Sequence, residues 1–144
     1  HNSTMQCAAL RFFNVFGEGQ PDNVGYVSAI PIFKKQYESY QPITVTGDGQ
    51  QTRDFVYVGD VIDACFKTLM QPRLASLNMQ IFNVGTGEEV RILDIAETFG
   101  GEIVYIDARE EQKRALADIS MITKVLDWKP QTKVLQWIKE DKNA

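Results

Sequence analysis

Short apolar runs alternate with longer stretches of helical spacing along the chain, and this alternation predicts an α/β fold. Three runs are apolar and too short for typical helices, so we interpret them as strands: ALRFFNVFG at 9–17, QIFNVG at 80–85 and GEIVYID at 101–107. The run at 9–17 is rich in aromatic residues and ends at a glycine, so we expect it to be a single buried strand followed by a loop.

Two further runs alternate apolar and polar residues and contain β-branched residues, which is typical of half-buried strands. They are PITVTG at 42–47 and RDFVYV at 53–58. The segment GDGQQT at 47–52 lies between them and has the composition of a tight turn. The sequence therefore predicts two short strands that flank a glycine turn.

Five segments have the spacing of helices. Residues 26–39 have this spacing but include Pro31, which predicts a kink. Asp60 and Asp118 are expected to cap the second and the last-but-one helix, and Thr132 to begin a final helix. The predicted inward faces are Val61, Ile62, Cys65, Phe66 and Leu69, then Ile92, Ile95, Ala96 and Phe99, then Ile119, Ile122, Val125 and Leu126, and finally Leu135 and Ile138.

Composition excludes several classes of function. The 144 residues suit one globular domain, and 44% of them are hydrophobic, which is enough for a core. A net charge of −4 argues against nucleic acid or an anionic membrane as a partner. His1 is the only histidine and there are two cysteines, so we expect no metal site and no Ser-His triad. The first residues lack the order of a signal peptide, and we expect a cytoplasmic protein.

Four motifs, taken in order, resemble one enzyme family. They are LRFFNVFGEGQ, TVTGDGQQTRDFVYVGDV, IFNVGTGEEVRILDIAE and ADISMITKVLDWKP. In this order and spacing they resemble the carboxyl-terminal half of the extended short-chain dehydrogenases/reductases, and within that family the nucleotide-sugar epimerases and dehydratases similar to UDP-glucose 4-epimerase. The resemblance covers about residues 9–138. It implies an α/β substrate-binding part in which two strands join a Rossmann-type parallel sheet.

The resemblance implies that Arg53 binds the substrate diphosphate. A planar guanidinium at the mouth of a strand can contact both phosphates with paired, charge-assisted hydrogen bonds. The alternative is an ordinary ion pair of Arg53 with Asp48 or Asp54. A carboxylate beside a diphosphate would repel it, so we expect Asp54 to orient backbone or a neighbouring side chain.

The resemblance implies further substrate contacts from neighbouring strands. Asn14 closes the first predicted strand, and by resemblance its amide contacts the diphosphate; the alternative is an amide that caps the following turn. Thr44 and Thr46 lie in the strand that faces the nucleobase in this family. Many relatives have an aromatic or apolar residue at the position of Thr46, so the identity of the base stays open.

The segment DAREEQKRALAD, residues 107–118, resembles an Arg-x-Gly-Glu/Asp element that approaches the diphosphate. Counting from Asp118 places Glu111 at the acid position, but the arginine position then falls on Ala108 and not on Arg109. Glu110 replaces the glycine. Arg109 and Glu111 are therefore candidate substrate-binding residues, and the alternative is a solvated charged segment.

A partial glycine fingerprint, GTGEEV at 85–90, follows a predicted strand. The third glycine of a dinucleotide-binding motif is missing, and two glutamates would face the pyrophosphate. We therefore interpret this segment as a structural turn. The family's Gly-x-x-Gly-x-x-Gly loop for NAD and its catalytic Tyr-x-x-x-Lys helix do not occur in this sequence.

These patterns predict that residues 1–144 form the carboxyl-terminal, substrate-binding portion of an NAD-dependent epimerase, without its amino-terminal NAD-binding Rossmann portion. We expect the chain alone to have no catalytic residues, no cofactor and no activity, to bind a nucleotide-diphosphate sugar, and to form a homo-oligomer. NAD would be the cofactor of the complete enzyme. The alternatives are a nucleotide-sugar 4,6-dehydratase, a heptose 6-epimerase, or a non-catalytic remnant with a binding or structural role.

Overall fold

The computed structural model describes residues 7–21, 28–71 and 80–142, and these residues form nine strands and five helices. The strands are β1 Ala8–Phe12, β2 Asn14–Phe16, β3 Ile43–Thr46, β4 Thr52–Arg53, β5 Phe55–Tyr57, β6 Gln80–Val84, β7 Val90–Arg91, β8 Ile103–Ile106 and β9 Arg114–Ala115. The helices are α1 Ala29–Glu38, α2 Val58–Leu69, α3 Ile92–Phe99, α4 Ser120–Leu126 and α5 Val134–Asp141. None of these helices meets the length and hydropathy needed to cross a membrane.

Parallel pairing dominates the strands, as the α/β prediction requires. Strand β1 pairs with β6 in parallel, from Ala8 opposite Gln80 to Phe12 opposite Val84. The β2–β5 and β3–β8 pairs are parallel as well. The three-stranded sheet β7–β4–β9 contains one antiparallel pair, β4 with β7. The expected α/β fold with parallel strands is confirmed, and β1 and β6, from the first apolar run and the run at 80–85, form one of the parallel pairs.

Two predicted strands are each divided in the structure. The run at 9–17 changes its partner at Phe13, whose N–H donates to the Val84 carbonyl at 3.0 Å, while the Asn14 N–H donates to the Asp54 carbonyl at 3.1 Å. The run at 53–58 divides at Asp54 into β4 and β5. Each run therefore contributes to two small sheets. At the breaks, Phe13 and Asp54 need not follow the alternation of inward and outward side chains that a continuous strand imposes.

The glycine turn does not join two paired strands. Strand β3 pairs with β8, and β4 pairs with β7 and β9. The turn is instead hydrogen-bonded to the start of α3: the Leu93 N–H donates to the Gly49 carbonyl at 3.0 Å. A Cβ on Gly49 would lie 2.8 Å from Val45 Cγ1, and its φ of +70° also favours glycine.

The core forms two clusters, and the β2–β5 pair contributes residues to both of them. One cluster packs α1, α3 and α5 against β3, with Phe16 in edge-to-face contact with Trp137 at 5.3 Å between ring centroids. The predicted inward residues of α3 are all buried there. The second cluster surrounds Trp128, which is fully buried. It contains Val56, Val61, Ala64, Phe82, Val84, Ile122, Leu126 and Trp128.

The predicted inward face of α2 is wrong at four of its five residues. Ile62, Phe66 and Leu69 are 64%, 60% and 81% exposed, and Cys65 is exposed too. Val61 is buried as predicted, and Ala64 is buried beside it, because these smaller residues face the second core cluster. An apolar stripe of α2 is thus uncovered within the described part of the chain, and periodicity alone does not distinguish it from the side that packs.

The predicted caps also differ from the structure in part. Helix α2 begins at Val58, and the buried Asp60 carboxylate accepts hydrogen bonds from the N–H groups of Gln131 and Thr132 at 3.1 and 3.0 Å. Asp60 therefore ties the turn before α5 to α2, and α5 begins at Val134. Pro31 lies in the first turn of α1, where proline is tolerated, so it does not kink the helix.

The remaining expectations for the helices concern the start of α4, the inward residues of α4 and α5, and the start of the first predicted helix. The N-cap residue of α4 is Ile119 and not Asp118, which lies one residue earlier and accepts a hydrogen bond from the Ser120 N–H at 2.9 Å. Ile122 and Leu126 are buried, and so is Ile138 of α5. Residues 26 and 27 of the first predicted helix lie outside the described part of the chain.

Candidate functional site

A groove of about 350 Å³ lies where β2, β3 and β4 approach the segment that follows β8. Its lining comes from residues distant in sequence, including Phe33 of α1 and Ile92 of α3 at its apolar side. All six residues predicted as substrate-binding line this groove: Asn14, Thr44, Thr46, Arg53, Arg109 and Glu111. The fold therefore brings together candidates that were chosen separately along the sequence.

Arg53 is the most constrained charged residue of the groove. Its side chain is only 13% exposed. Nη1 donates to the Thr52 carbonyl at 2.8 Å, and Nη2 donates to Glu111 Oε2 at 2.7 Å. The guanidinium is thus fixed by its own backbone on one side and by a carboxylate on the other. Such a fixed, planar cation suits an anionic ligand.

Neither acid considered as an alternative partner pairs with Arg53. Asp48 Oδ1 accepts a hydrogen bond from the Gln50 N–H at 3.0 Å within the glycine turn. Asp54 points away into the core. The ion pair that Arg53 does form, with Glu111, spans two elements of the groove. Sequence analysis selected both residues as candidates for substrate binding, but it did not predict that they contact each other.

Asp54 is fully buried and organises the turn beside the groove. Oδ1 accepts hydrogen bonds from the Thr86 N–H at 2.6 Å and the Thr86 hydroxyl at 2.7 Å. Oδ2 accepts from the N–H groups of Gly87 and Ala117 at 2.9 and 3.1 Å. A carboxylate with several backbone donors is well satisfied. The expectation that Asp54 orients backbone is confirmed.

The same contacts determine what the turn at 85–90 can bind. A Cβ on Gly85 would lie 2.8 Å from Asp54 Oδ2 and 2.5 Å from the Ala117 Cβ, so the glycine is needed for close packing. The N–H groups of Thr86 and Gly87 already donate to Asp54. A pyrophosphate would need these donors, so this turn does not fit NAD.

Asn14 lies at the start of β2 and not at the end of a long strand. Its Nδ2 donates to the Asp54 carbonyl at 2.9 Å, and its backbone N–H donates to the same carbonyl at 3.1 Å. The side chain thus bridges β2 to the residue next to Arg53. It also lines the groove, so it can act on a ligand and on the backbone together.

The threonines of β3 are half-buried and differ in their contacts. Gln36 of α1 binds Thr44 twice: its Oε1 accepts from the Thr44 N–H at 3.1 Å, and its Nε2 donates to the Thr44 hydroxyl at 2.8 Å. The carbonyl of Thr46 accepts from Gln51 Nε2 at 3.2 Å. Gln36 and Gln51 therefore hold the strand that forms one wall.

Gln51 is a site residue that the sequence reasoning missed. Its Nε2 reaches both the Thr46 carbonyl and Glu111 Oε1, at 3.2 and 3.3 Å. It also lines a second groove of about 530 Å³ next to the first, which shares Thr46, Arg109 and Glu111. The sequence could have identified Gln51 by its position two residues before Arg53, because residues two apart in an extended segment lie on the same side.

A second polar cluster lies away from the groove, at the end of β5. The Glu18 carboxylate accepts hydrogen bonds from the Tyr57 hydroxyl at 2.8 Å and from the Trp137 indole N–H at 3.2 Å. A backbone hydrogen bond, and then these two, lower the pKa of Glu18 below its usual value. The hydrogen bond to Glu18 raises the pKa of Tyr57. Within the described residues, no group of His, Cys, Asp and Glu is arranged to hold a metal ion.

Parallel strand pairs with covering helices define an α/β protein of Rossmann-like fold, and its groove is lined by two arginines, Arg53 and Arg109. The model of the NAD dependent epimerase/dehydratase family matches residues 1–85. The chain belongs to this family. The resemblance of the four sequence motifs is thereby confirmed.

Three similar proteins illustrate the match. A Methanocaldococcus jannaschii protein with the provisional name UDP-glucose 4-epimerase is 39% identical over 94% of this chain and 44% of its own length. The structure of epimerase Mth375 from Methanothermobacter thermautotrophicus has a TM-score of 0.83 at 27% identity, covering 93% of this chain and 41% of that one.

The third is the UDP-glucuronic acid 4-epimerase from Bacillus cereus in complex with UDP-glucuronic acid and NAD. It has a TM-score of 0.77 and 26% identity, and the match covers 93% of this chain and 43% of that one. The chain therefore spans a little under half the length of the proteins that it matches.

Proposed function

We propose that the chain is the nucleotide-sugar-binding portion of an NAD-dependent nucleotide-sugar 4-epimerase similar to UDP-glucose 4-epimerase. One observation carries the proposal: a single groove is lined by Arg53, Arg109, Asn14 and the β3 threonines. A fixed guanidinium beside an amide suits a diphosphate, which offers several acceptor oxygens close together.

Each residue has a distinct task in this proposal. Arg53 binds the diphosphate and neutralises part of its charge, and Asn14 donates its amide to a phosphate or sugar oxygen. Arg109, on the exposed side of the groove, adds a second positive charge. Thr44 and Thr46 face the nucleobase from strand β3. Binding energy is thus concentrated on the nucleotide, which leaves the sugar free to turn during epimerisation.

The glycine-rich turn after β6 does not fit the pyrophosphate of NAD, because the N–H groups of Thr86 and Gly87 already donate to Asp54. In the complete enzyme NAD would supply hydride transfer, and we assign its binding to an amino-terminal portion outside this sequence. The chain alone then binds substrate without turning it over.

Uncovered apolar surface supports this division of the enzyme. Phe12 of β1 and Ile81 of β6 are about half exposed, and the apolar stripe of α2 is more exposed still. Parallel strands are normally covered on both faces. An amino-terminal Rossmann portion that pairs with β1 and packs on α2 would cover these residues. A non-catalytic remnant would have no such partner.

Among the family's reactions we favour 4-epimerisation over 4,6-dehydration or 6-epimerisation. The three proteins described above are named as epimerases, and two of them as 4-epimerases. The groove itself does not choose among these reactions, since the residues that would act on the sugar ring are assigned to the other portion.

A thermal-shift panel tests the proposed function. The purified chain is heated with UDP-, dTDP-, GDP- and ADP-glucose, with glucose 1-phosphate, and with NAD. We expect UDP- or dTDP-glucose to raise the melting temperature in a saturable way, and glucose 1-phosphate and NAD to leave it unchanged. A chain that no sugar nucleotide stabilises at millimolar concentration would contradict the proposal.

A further inference from the structure

Gln36 of α1 binds Thr44 of β3 through both ends of its side-chain amide. The Thr44 N–H donates to Gln36 Oε1 at 3.1 Å, and Gln36 Nε2 donates to the Thr44 hydroxyl oxygen at 2.8 Å. Because a backbone N–H can only donate, it fixes the amide with its oxygen toward the backbone and its NH2 group toward the hydroxyl. The Thr44 hydroxyl therefore accepts from Gln36 and cannot give its proton to the same group.

The proton of the Thr44 hydroxyl is left for another acceptor. The hydrogen bonds among the described residues give the hydroxyl oxygen a donor but give its proton no acceptor. Thr44 lines the groove, so an atom of the ligand can take that place. A hydroxyl without such a partner would rotate to serve as donor or acceptor, whereas the Gln36 amide sets this one as a donor.

Thr44 lies at the end of β3 that is farther from Arg53. Gln51 Nε2 binds the Thr46 carbonyl at 3.2 Å and Glu111 Oε1 at 3.3 Å. Glu111 in turn accepts from Arg53 Nη2 at 2.7 Å. Thr46 is thus nearer to the arginine, and Thr44 lies two residues, roughly 6 to 7 Å, farther along the strand. A nucleotide with its diphosphate at Arg53 would reach Thr44 with the part of the base farthest from the ribose, which in a pyrimidine is position 4.

We propose that Gln36 makes the groove selective for uracil or thymine nucleotides over cytosine nucleotides, by setting the Thr44 hydroxyl as a donor to position 4 of the base. Uracil and thymine carry an acceptor oxygen at this position, whereas cytosine carries an amino group that donates. Gln36 does not line the groove, so it is a positioning residue that acts through Thr44. This inference rests on the proposed function of the groove and names the base that the groove selects.

The selectivity comes mainly from the mismatch with cytosine. Its amino group would face the Thr44 hydroxyl donor to donor, and neither group would have its partner. A site that offers a hydrogen bond discriminates strongly against an analogue that cannot complete it. Thr44 is half-buried, so water replaces the missing bond only in part. We expect the chain to bind UDP at least about 5-fold more tightly than CDP.

Calorimetric titration of Gln36→Glu with UDP and CDP tests the positioning role. A carboxylate of the same shape accepts from both the N–H and the hydroxyl of Thr44, so it turns the hydroxyl proton away from the ligand and leaves an acceptor in the groove. The ratio of UDP to CDP affinity should fall by about 5-fold or more. Gln41→Glu, the same chemical change at an exposed residue outside the groove lining, should keep the wild-type ratio.

Thr44→Val shows whether the effect passes through the hydroxyl. Valine has nearly the same shape but no donor, so the variant should bind UDP and CDP with similar affinity. In this background the further change Gln36→Glu should leave the ratio unaltered, because the group that it reorients is missing. Melting curves show which variants are folded. If Gln36→Glu does not fold, the ratio measured for Thr44→Val decides: a wild-type ratio there overturns the inference.

The affinity ratio separates this inference from the proposed function. A wild type that binds UDP and CDP equally, a folded Gln36→Glu with the wild-type ratio, or an equal change in Gln41→Glu would overturn the selectivity and leave the nucleotide groove in place. A Gln36→Glu effect that persists beside Thr44→Val would do the same. If the wild type binds neither UDP nor CDP, the proposed function fails as well.

Discussion

Arg53 of β4 and Glu111 of the segment between β8 and β9, 58 residues apart in sequence, meet at 2.7 Å in the groove. Strand β4 also pairs with β9, directly after this segment, so the pairing holds the two backbones close together. The functional site is thus assembled by small sheets that connect separate motifs, and changes to those sheets should affect binding.

The Asp54 network is predicted to stabilise both the fold and the groove. Asp54→Ala leaves the buried donors of Thr86, Gly87 and Ala117 without their acceptor. Because unsatisfied buried groups are costly, we expect a loss of about 3 kcal/mol or more in the free energy of unfolding, measured by urea denaturation. Asp48→Ala, an exposed change in the glycine turn, should cost less than about 1 kcal/mol. Equal, small losses would contradict the structural role of Asp54.

Glu18 is predicted to make stability depend on acid pH. Its pKa is lowered in the folded chain, so the ionised form stabilises the fold above the usual value of 4.5, and this stabilisation is lost as the pH falls through the folded pKa. Glu18→Gln should lower the melting temperature at pH 7 and flatten its decline between pH 5 and pH 3. Tyr57→Phe, which removes one donor to Glu18, should do the same more weakly. Parallel melting curves for all three proteins would contradict the prediction.

The uncovered apolar residues predict self-association of the isolated chain. Phe12, Ile81 and the α2 stripe leave apolar side chains exposed, and β1 is paired, among the described residues, on one edge only. Such edges and patches promote association. We expect a dimer or larger species by light scattering coupled to size exclusion at micromolar concentration.

A paired variant tests where this association occurs. Phe66→Glu on α2 should shift the chain toward monomer, whereas Tyr40→Ser, a change at a nearly fully exposed residue elsewhere, should not. A wild-type chain that is a stable monomer and binds no hydrophobic dye would show that these residues need no cover.

The isolated chain is predicted to bind no NADH below millimolar concentration. Asp54 occupies the N–H groups of Thr86 and Gly87, and two glutamates follow them. Fluorescence titration with NADH measures this directly. Saturation at micromolar cofactor would mean that the turn opens and accepts a pyrophosphate.

The sequence predicted the class of fold and most of the elements because their signals are local. The apolar stripe of α3 follows from periodicity, and a parallel sheet that includes two of the apolar runs follows from the resemblance of the motifs. The breaks at Phe13 and Asp54 did not follow, since each depends on a change of pairing partner that is set by distant strands. The exposed side of α2 was misassigned for a similar reason. An apolar face indicates that its side chains are suited to burial, but it does not identify the surface against which they would be buried.

The groove residues were predictable by type, but their contacts were not. A resemblance of motifs selected Arg53, Asn14 and Glu111 separately, and the structure places all of them at one groove. The bridge from Glu111 to Arg53 and Gln51 required the register between β4 and β9. Local sequence carries no information about that register.

Calorimetric titration of the chain with UDP-glucose tests the central claim most directly. The variants are Arg53→Ala and the control Arg11→Ala, an exposed arginine of β1 outside the groove. Loss of a charged hydrogen-bonding group predicts binding weaker by about 1.5 to 3 kcal/mol for Arg53→Ala, with no change for Arg11→Ala. An affinity that is the same for the wild type and Arg53→Ala would contradict the assignment of this groove to a nucleotide diphosphate.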